Sequence, residues 1–269
     1  MGKILNNEEI DNYNKNGFFF PLRVMSEEEA SYYRDKLEEY EENLGKPISG
    51  NERHKAHLLF TWIDTLVRHP LILDAIEDII GPNILCWSSN FFIKEANDKS
   101  FVTWHQDATY WGLDPENVIT AWIALSDASI KTGPMEVIPK SHKWDTESHI
   151  QTNNNYNLLS RGQELNKNIS KEKVVSMPLN AGEISLHHIK LAHSSKPNKT
   201  NDRRIGLAIR YIKPDVKNIN TNDSALLVRG VDKFKHYELE ISPNEDLSDQ
   251  AVLNHKKYSD IHVRNLMRE

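Results

Sequence analysis

An imidazole and a carboxylate two residues apart can ligate one metal ion when the chain between them is extended, because alternate residues of a strand project to one face. His105 and Asp107 stand in that relation within FVTWHQDATYWG. A second cluster, LHHIKLAHSSKPNKTNDRRIGLAIRY, offers His187, His188 and His193, followed by Arg203 and Arg204. One imidazole from that cluster would complete two histidines and a carboxylate on one face of a metal, the donor set of non-haem Fe(II) oxygenases. Two of the positions left open suit a chelating 2-oxo acid, and the third suits dioxygen. The far carboxylate of such an acid needs a cation, and an arginine fork binds it with two hydrogen bonds. Residue types alone leave open which of the three histidines and which of the two arginines serve. Of the 12 histidines, His54, His57, His69, His142, His149, His236, His255 and His262 stand singly, which predicts surface or satisfied core positions for them.

The elements around these residues change character near residue 84. The first ~80 residues read as helical. Ser26 followed by Glu29 predicts a capping box opening a helix that stops at Gly45, and a second helix starts near Pro70 and ends before Gly81-Pro82. From Ile84 onward, short segments with strand character alternate with turn residues: ILCWSSNFFIKEA, NVITAWIALSDA, KVVSMPL, GEISLHH, RRIGLAIRYIK and SALLVRG. So many sequential β segments predict a sandwich or jelly roll with an α-helical N-terminal layer. The Asn-rich stretch from about Trp144 to Lys173 predicts an insertion or lid, and the C-terminal 30 residues a peripheral helix and loop. No Pro/Gly/Ser-rich linker divides the 269 residues, so a single domain over 1–269 is expected.

Composition narrows the class. Hydrophobic residues make up 38% and charged residues 27%, enough apolar material for a real core. The net charge of −6, with no basic block, argues against nucleic-acid partners. No apolar run approaches the ~18 residues of a membrane span. One cysteine, Cys86, allows no internal disulfide, and MGKILNNEEI lacks the pattern of a signal peptide; both point to a cytoplasmic protein.

Four ordered motifs then carry a resemblance. His105-Gln106-Asp107, the strand Trp122-Ile123-Ala124-Leu125, the turn from Gly133-Pro134 to Ser141-His142, and the ending His193-x-Ser195-x-x-Asn198-x-Thr200-x-x-x-Arg204 span about 100 residues. In that order they resemble the phytanoyl-CoA dioxygenase family of Fe(II)/2-oxoglutarate oxygenases. The resemblance implies a distorted double-stranded β-helix (jelly roll, cupin-like). It makes His105, Asp107 and His193 the metal ligands and Arg204, assisted by Ser195, the 2-oxoglutarate site. Gln106 is expected beside the co-substrate or behind the ligands. Arg203 becomes a surface or strand-edge residue, and of His187 and His188 one is buried and structural while the other faces ligand or substrate. A related branch chlorinates its substrates and has Ala or Gly in place of the carboxylate, so Asp107 argues against halogenation.

The implied reaction uses Fe(II), 2-oxoglutarate and O2 to hydroxylate a C–H bond, releasing succinate and carbon dioxide; ring closure or desaturation shares the same start. The expected substrate is a small polar metabolite such as an amino acid, amine or aminophosphonate, with a carrier-protein-tethered aminoacyl group or an acyl-CoA as alternatives. Candidate substrate contacts are Asn90, Lys94, Tyr110, Trp111 and Arg210, the last sharing a strand face with Arg204. Two other classes compete. A zinc hydrolase uses a similar donor set but gives Arg204 and Ser195 no role. A jelly-roll binding module without activity gives the whole constellation none.

Overall fold

In the computed structural model, residues 2–152, 154–159, 162–170 and 173–266 are described. The N-terminal third supplies helices α1 (Asn7–Asn16), α2 (Glu27–Leu44), α3 (Thr61–Val67) and α4 (Pro70–Ile80). Ser26 Oγ caps α2 by accepting the Glu29 N–H, and Gly45 ends it in the left-handed region. The reciprocal capping box forms at α1 instead, between Asn6 and Glu9.

This third is not all helical as its sequence predicts. Strand β1 (Phe18–Arg23) interrupts it and pairs antiparallel with β10 (Glu183–His188) at a sheet edge. The run Phe18-Phe19-Phe20 favours a pleated, half-buried surface. Pro21 is tolerated because the register slips between Phe19 and Leu22 on an edge strand.

The rest of the chain is mainly β: β2 (Ile84–Lys94), β3 (Val102–His105), β4 (Leu113–Asp114), β5 (Val118–Ala124), β6 (Met135–Val137), β7 (His149–Gln151), β8 (Gln163–Leu165) and β9 (Val175–Met177), then β10, β11 (His193–Ser195), β12 (Arg204–Ile212), β13 (Lys217–Asn218), β14 (Asp223–Arg229) and β15 (Tyr237–Leu239). Helical turn α5 (Ala108–Trp111) follows β3, and α6 (Asp249–Leu266) closes the described chain. A seven-stranded sheet in the order β1-β10-β5-β12-β2-β14-β15 stands opposite a four-stranded sheet, β3-β11-β6-β9. This is a jelly roll of mainly antiparallel sheets with helices α1 to α4 packed on the outer face of the larger one, the fold that the motifs imply.

Strand alternation decides what each face does. On β12, Ile205, Leu207, Ile209 and Tyr211 point to the main core, where they meet Phe91 of β2, Ala121 of β5 and residues of α2, α3 and α4 such as Leu37, Ile63 and Ile76. The alternate residues Arg204, Ala208 and Arg210 line a cavity between the two sheets. Antiparallel register sets Ala208 opposite Asn90 and Trp122, and Arg210 opposite Ser88 and Thr120, all on the cavity wall.

One polar cluster is buried away from that cavity. Glu240 is held by Lys55 Nζ at 2.5 Å and by His57 Nε2 at 2.9 Å, while His57 Nδ1 meets Ser89 Oγ at 2.8 Å. Lys55 and His57 are fully buried, and together they tie the segment before α3 to the chain after β15. The expectation of a peripheral C-terminus also needs correction. Helix α6 buries Ala251, His255, Tyr258, Ser259 and His262, and His262 reaches the cavity wall. Its buried face is mostly polar, which is why its apolar periodicity is weak.

Candidate active site

The metal candidates come from β3, the turn after it, and β11. His193 is the antiparallel partner of His105, and this places their rings 4.0 Å apart, centroid to centroid. Asp107 arrives by a different route from the one its spacing predicts. The strand ends at His105 and the chain turns, so Asp107 opens α5 and not a continuing strand. Its Oδ1 nevertheless lies 3.3 Å from His105 Nε2. Donor atoms of His105, Asp107 and His193 all lie within 4.8 Å of one another.

The other nitrogen of each ring shows what this convergence is for. His105 Nδ1 lies 2.9 Å from the Thr103 carbonyl and His193 Nδ1 2.8 Å from that of Leu191, in each case the residue two positions earlier. A carbonyl can only accept, so both Nδ1 atoms carry the hydrogen and both neutral rings present a bare Nε2. Bare imidazole lone pairs turned on a carboxylate need a cation among them. Burial alone would raise the Asp107 carboxyl, but its polar surroundings, His105 first with His193 and Arg210 behind it, hold it well below the ordinary carboxylate range. Burial also lowers His193 to about 4, with His105 adding to the effect, so its ring is neutral at physiological pH. The donor set therefore fits a divalent metal, with the backbone carbonyls fixing the tautomers.

Arg204 occupies the same cavity and is 2% exposed. It donates to the Gly133 carbonyl at 2.9 Å, its Nε has no partner, and its guanidinium carbon is 5.2 Å from the Trp122 ring centroid. Among the described residues no carboxylate pairs with it, so it is a buried cation with capacity for an anion. Burial lowers it to about 10, which still leaves it charged. Ser195 lines the cavity nearby, and its Oγ accepts from Lys94 Nζ at 2.7 Å.

The remaining candidates divide. Asn90, Tyr110, Trp111 and Arg210 line the cavity with the triad. Lys94 does not line it; its side-chain nitrogen is spent on Ser195 and on the carbonyls of Gly133 and Lys196. Burial and Arg204 push it down to about 6. Gln106 also lies off the cavity wall, fully buried, with its amide donating to the Lys190 carbonyl and accepting the Glu147 N–H. It therefore anchors the backbone at Glu147, near the start of the 144–173 stretch, and turns away from the cavity. Leu158, Leu159 and Gln163 from that stretch line the wall. Arg203 is bound to Glu38, Glu41 and Glu95 on the outside, as a strand-edge residue. His187 faces the cavity 5.0 Å from the His193 ring, whereas His188 packs against His142. Two wall residues, His54 and His262, come from singly placed histidines that carry no motif.

Comparison with known proteins follows the same residues. A family model described as phytanoyl-CoA dioxygenase (PhyH) matches residues 13–206, a span that holds the triad, Ser195 and Arg204. The chain belongs to the phytanoyl-CoA dioxygenase family. It is thus a member of a family of Fe(II)- and 2-oxoglutarate-dependent oxygenases. A probable alpha-ketoglutarate-dependent hypophosphite dioxygenase of Stutzerimonas stutzeri is 31% identical over 162 residues, covering 59% of this chain and 56% of that protein. The chain spans about half the length of this and several other curated relatives. Among solved structures, a non-heme monooxygenase, ThoJ in its apo form, is 33% identical with a TM-score of 0.86, covering 96% of both chains. CytC3 with Fe(II) and alpha-ketoglutarate, 20% identical at a TM-score of 0.68 over 92% of this chain and 97% of its own, shares the fold.

Proposed function

We propose that this phytanoyl-CoA dioxygenase family member is an Fe(II)/2-oxoglutarate-dependent dioxygenase that hydroxylates a C–H bond of a small polar metabolite. The observation that carries this reading is the convergence of two bare imidazole nitrogens and a carboxylate on one cavity that also holds a buried arginine with no carboxylate partner among the described residues. His105, Asp107 and His193 would hold the iron, and Arg204 with Ser195 the far carboxylate of 2-oxoglutarate. When bound, the iron and co-substrate supply oxidative decarboxylation and activation of dioxygen toward the substrate C–H bond.

The protein's own part is positional. Thr103 and Leu191 keep two imidazoles in the ligating tautomer, and the Trp122 face and the Gly133 carbonyl hold Arg204 in one orientation. Rings of Trp87, Phe92, Trp111 and Trp122 make much of the wall apolar, which excludes water around the reacting groups. The cavity is a concave pocket between the two sheets, walled by side chains of several strands, which suits a metabolite better than a macromolecule. We assign residues 1–269 to one catalytic domain and 144–173 to a lid over its mouth.

The test is anaerobic visible absorbance on adding Fe(II) and then 2-oxoglutarate to wild type and His193→Ala. A weak charge-transfer band in wild type, lost in the variant, supports the chelate. Folded, iron-saturated wild type without a band would sink the dioxygenase reading in favour of a zinc hydrolase or a binding module.

A further inference from the structure

The roles assigned so far leave a second guanidinium without work. Arg210 lies six residues beyond Arg204 on the same face of β12, is 8% exposed, and lines the same cavity. Its guanidinium carbon is 5.6 Å from the Phe92 ring centroid and 5.2 Å from that of Trp111. The two rings restrain the guanidinium through its π-faces, leaving hydrogen bonding to its edges. Those edges are poorly used: Nε has no partner and Nη1 reaches only the Ala208 carbonyl at 3.4 Å. Among the described residues no carboxylate pairs with Arg210, although Asp107 is close enough to favour its charge. A buried cation left this way is costly unless a partner arrives.

Charge balance says what that partner carries. Asp107 is the one carboxylate on the described cavity wall. A divalent metal beside Asp107 leaves one positive charge, Arg204 adds a second, and dianionic 2-oxoglutarate cancels both. Burial keeps His54 at about 4 and His262 well below its ordinary value, so both are neutral. Arg210 is the surplus. Around it Asn90 Oδ1, Thr120 Oγ1 and His262 Nδ1 are also buried without partners. Position reinforces the distinction, because the family match ends at residue 206: it includes the triad and Arg204 but neither Arg210 nor His262.

We propose that Arg210 is the specificity-determining residue for the primary substrate, and that this substrate carries a single oxyanion group, a carboxylate or a phosphonate, which the Arg210 fork binds between Phe92 and Trp111. The proposal rests on the dioxygenase reading, since 2-oxoglutarate is what leaves Arg210 uncompensated. Trp111 makes the site observable without turnover. Protein loaded with Ni(II) and 2-oxoglutarate is titrated, at constant low ionic strength, with acetate, methylphosphonate or acetamide while tryptophan fluorescence is followed.

Wild type is expected to bind one or both anions at least tenfold more tightly than acetamide, and the stronger anion names the headgroup. Arg210→Gln should weaken that anion by about 10- to 100-fold, the range of a charged hydrogen-bonded pair, while changing 2-oxoglutarate affinity less than twofold. Arg210→Lys should retain part of the anion preference, and it serves if the glutamine variant fails to fold. Equal binding of acetate, methylphosphonate and acetamide, no saturable response to either anion, or a preference that survives in Arg210→Gln would overturn the proposal. So would a parallel loss of 2-oxoglutarate binding, which would place Arg210 in the co-substrate site. Failure of wild type to bind 2-oxoglutarate at all would instead overturn the dioxygenase reading.

Discussion

Adding one methyl group at Gly206 should damage the co-substrate site without touching a ligand. Gly206 sits between Arg204 and Ala208 on the cavity face of β12, opposite Phe92 and Ala124. A Cβ there would lie 1.9 Å from Trp122 Cζ2 and 2.4 Å from Cε2. Carbon atoms pack at about 3.5–4 Å, so the indole must retreat by about 1.5 Å or more. Trp122 is 8% exposed and packed with Ala124, Ala128 and Leu179, which leaves it little room. Overpacking of this kind costs about 1–3 kcal/mol, and at about 2–4 °C per kcal/mol for a chain of this size the Tm should fall by roughly 2–12 °C. The same ring is the surface on which Arg204 rests, an interaction worth about 0.5–2 kcal/mol. Its loss should raise the Kd for 2-oxoglutarate by roughly 2- to 30-fold. Thermal melts by circular dichroism and anaerobic 2-oxoglutarate titration of the Fe(II) protein measure the two effects. Iron affinity should stay within twofold, because His105, Asp107 and His193 lie on other elements. An alanine variant with unchanged Tm and unchanged Kd would refute the claim that Trp122 fills the space above Gly206 and braces Arg204.

Two further outcomes are expected. Burial would raise the Glu240 carboxyl, but Lys55 and His57 override it and hold it down to about 2, against about 4.3 in an unfolded chain. A depressed folded value contributes stability above the unfolded one, up to about 3 kcal/mol, and loses it as pH falls from about 4.5 toward 2. Urea midpoints at pH 7 and pH 3 should therefore differ more in wild type than in Glu240→Gln, which is already about 3–5 kcal/mol weaker at pH 7 from breaking a buried pair; equal pH slopes would contradict this. Gln106→Ala should free the base of the 144–173 insertion, making it cleave several-fold faster in limited proteolysis while the Fe(II)/2-oxoglutarate band persists, and loss of the band with no change in cleavage would return Gln106 to the co-substrate.

What could be read in the sequence follows from the distance over which each signal acts. His105, Asp107, His193 and Arg204 sit in short motifs whose spacing is set by strands and turns, and the structure brings all four to one cavity. The choice of His193 over His187 needed the resemblance, since both are on the cavity wall. Strands β2, β5, β9, β10 and β12 fall within the segments whose composition predicts them, and β14 starts one residue ahead of its own. Strand β1 did not, because its six residues lie between two strong helices and become a strand only by pairing with β10, more than 150 residues away. His54 and His262 reach the cavity from a loop and from α6, joined by tertiary packing that no local spacing encodes. Gln106 and Lys94 stand close to the motif residues in sequence, but their side chains leave the cavity for other partners, a turn that no local spacing encodes.

The division of β12 between its two faces has an evolutionary reading. Ile205, Leu207, Ile209 and Tyr211 answer to the helices, whereas Ala208 and Arg210 answer to whatever enters the cavity. Selection can therefore explore new substrates by point substitution at open alternate positions of β2, β5 and β12 while the packing against the helices goes untested. Insertions and deletions have no such freedom. A shift of one residue exchanges every side chain between the faces, so a lineage built on this sheet should diversify by replacement within its strands and by changes of length only in the segments between them.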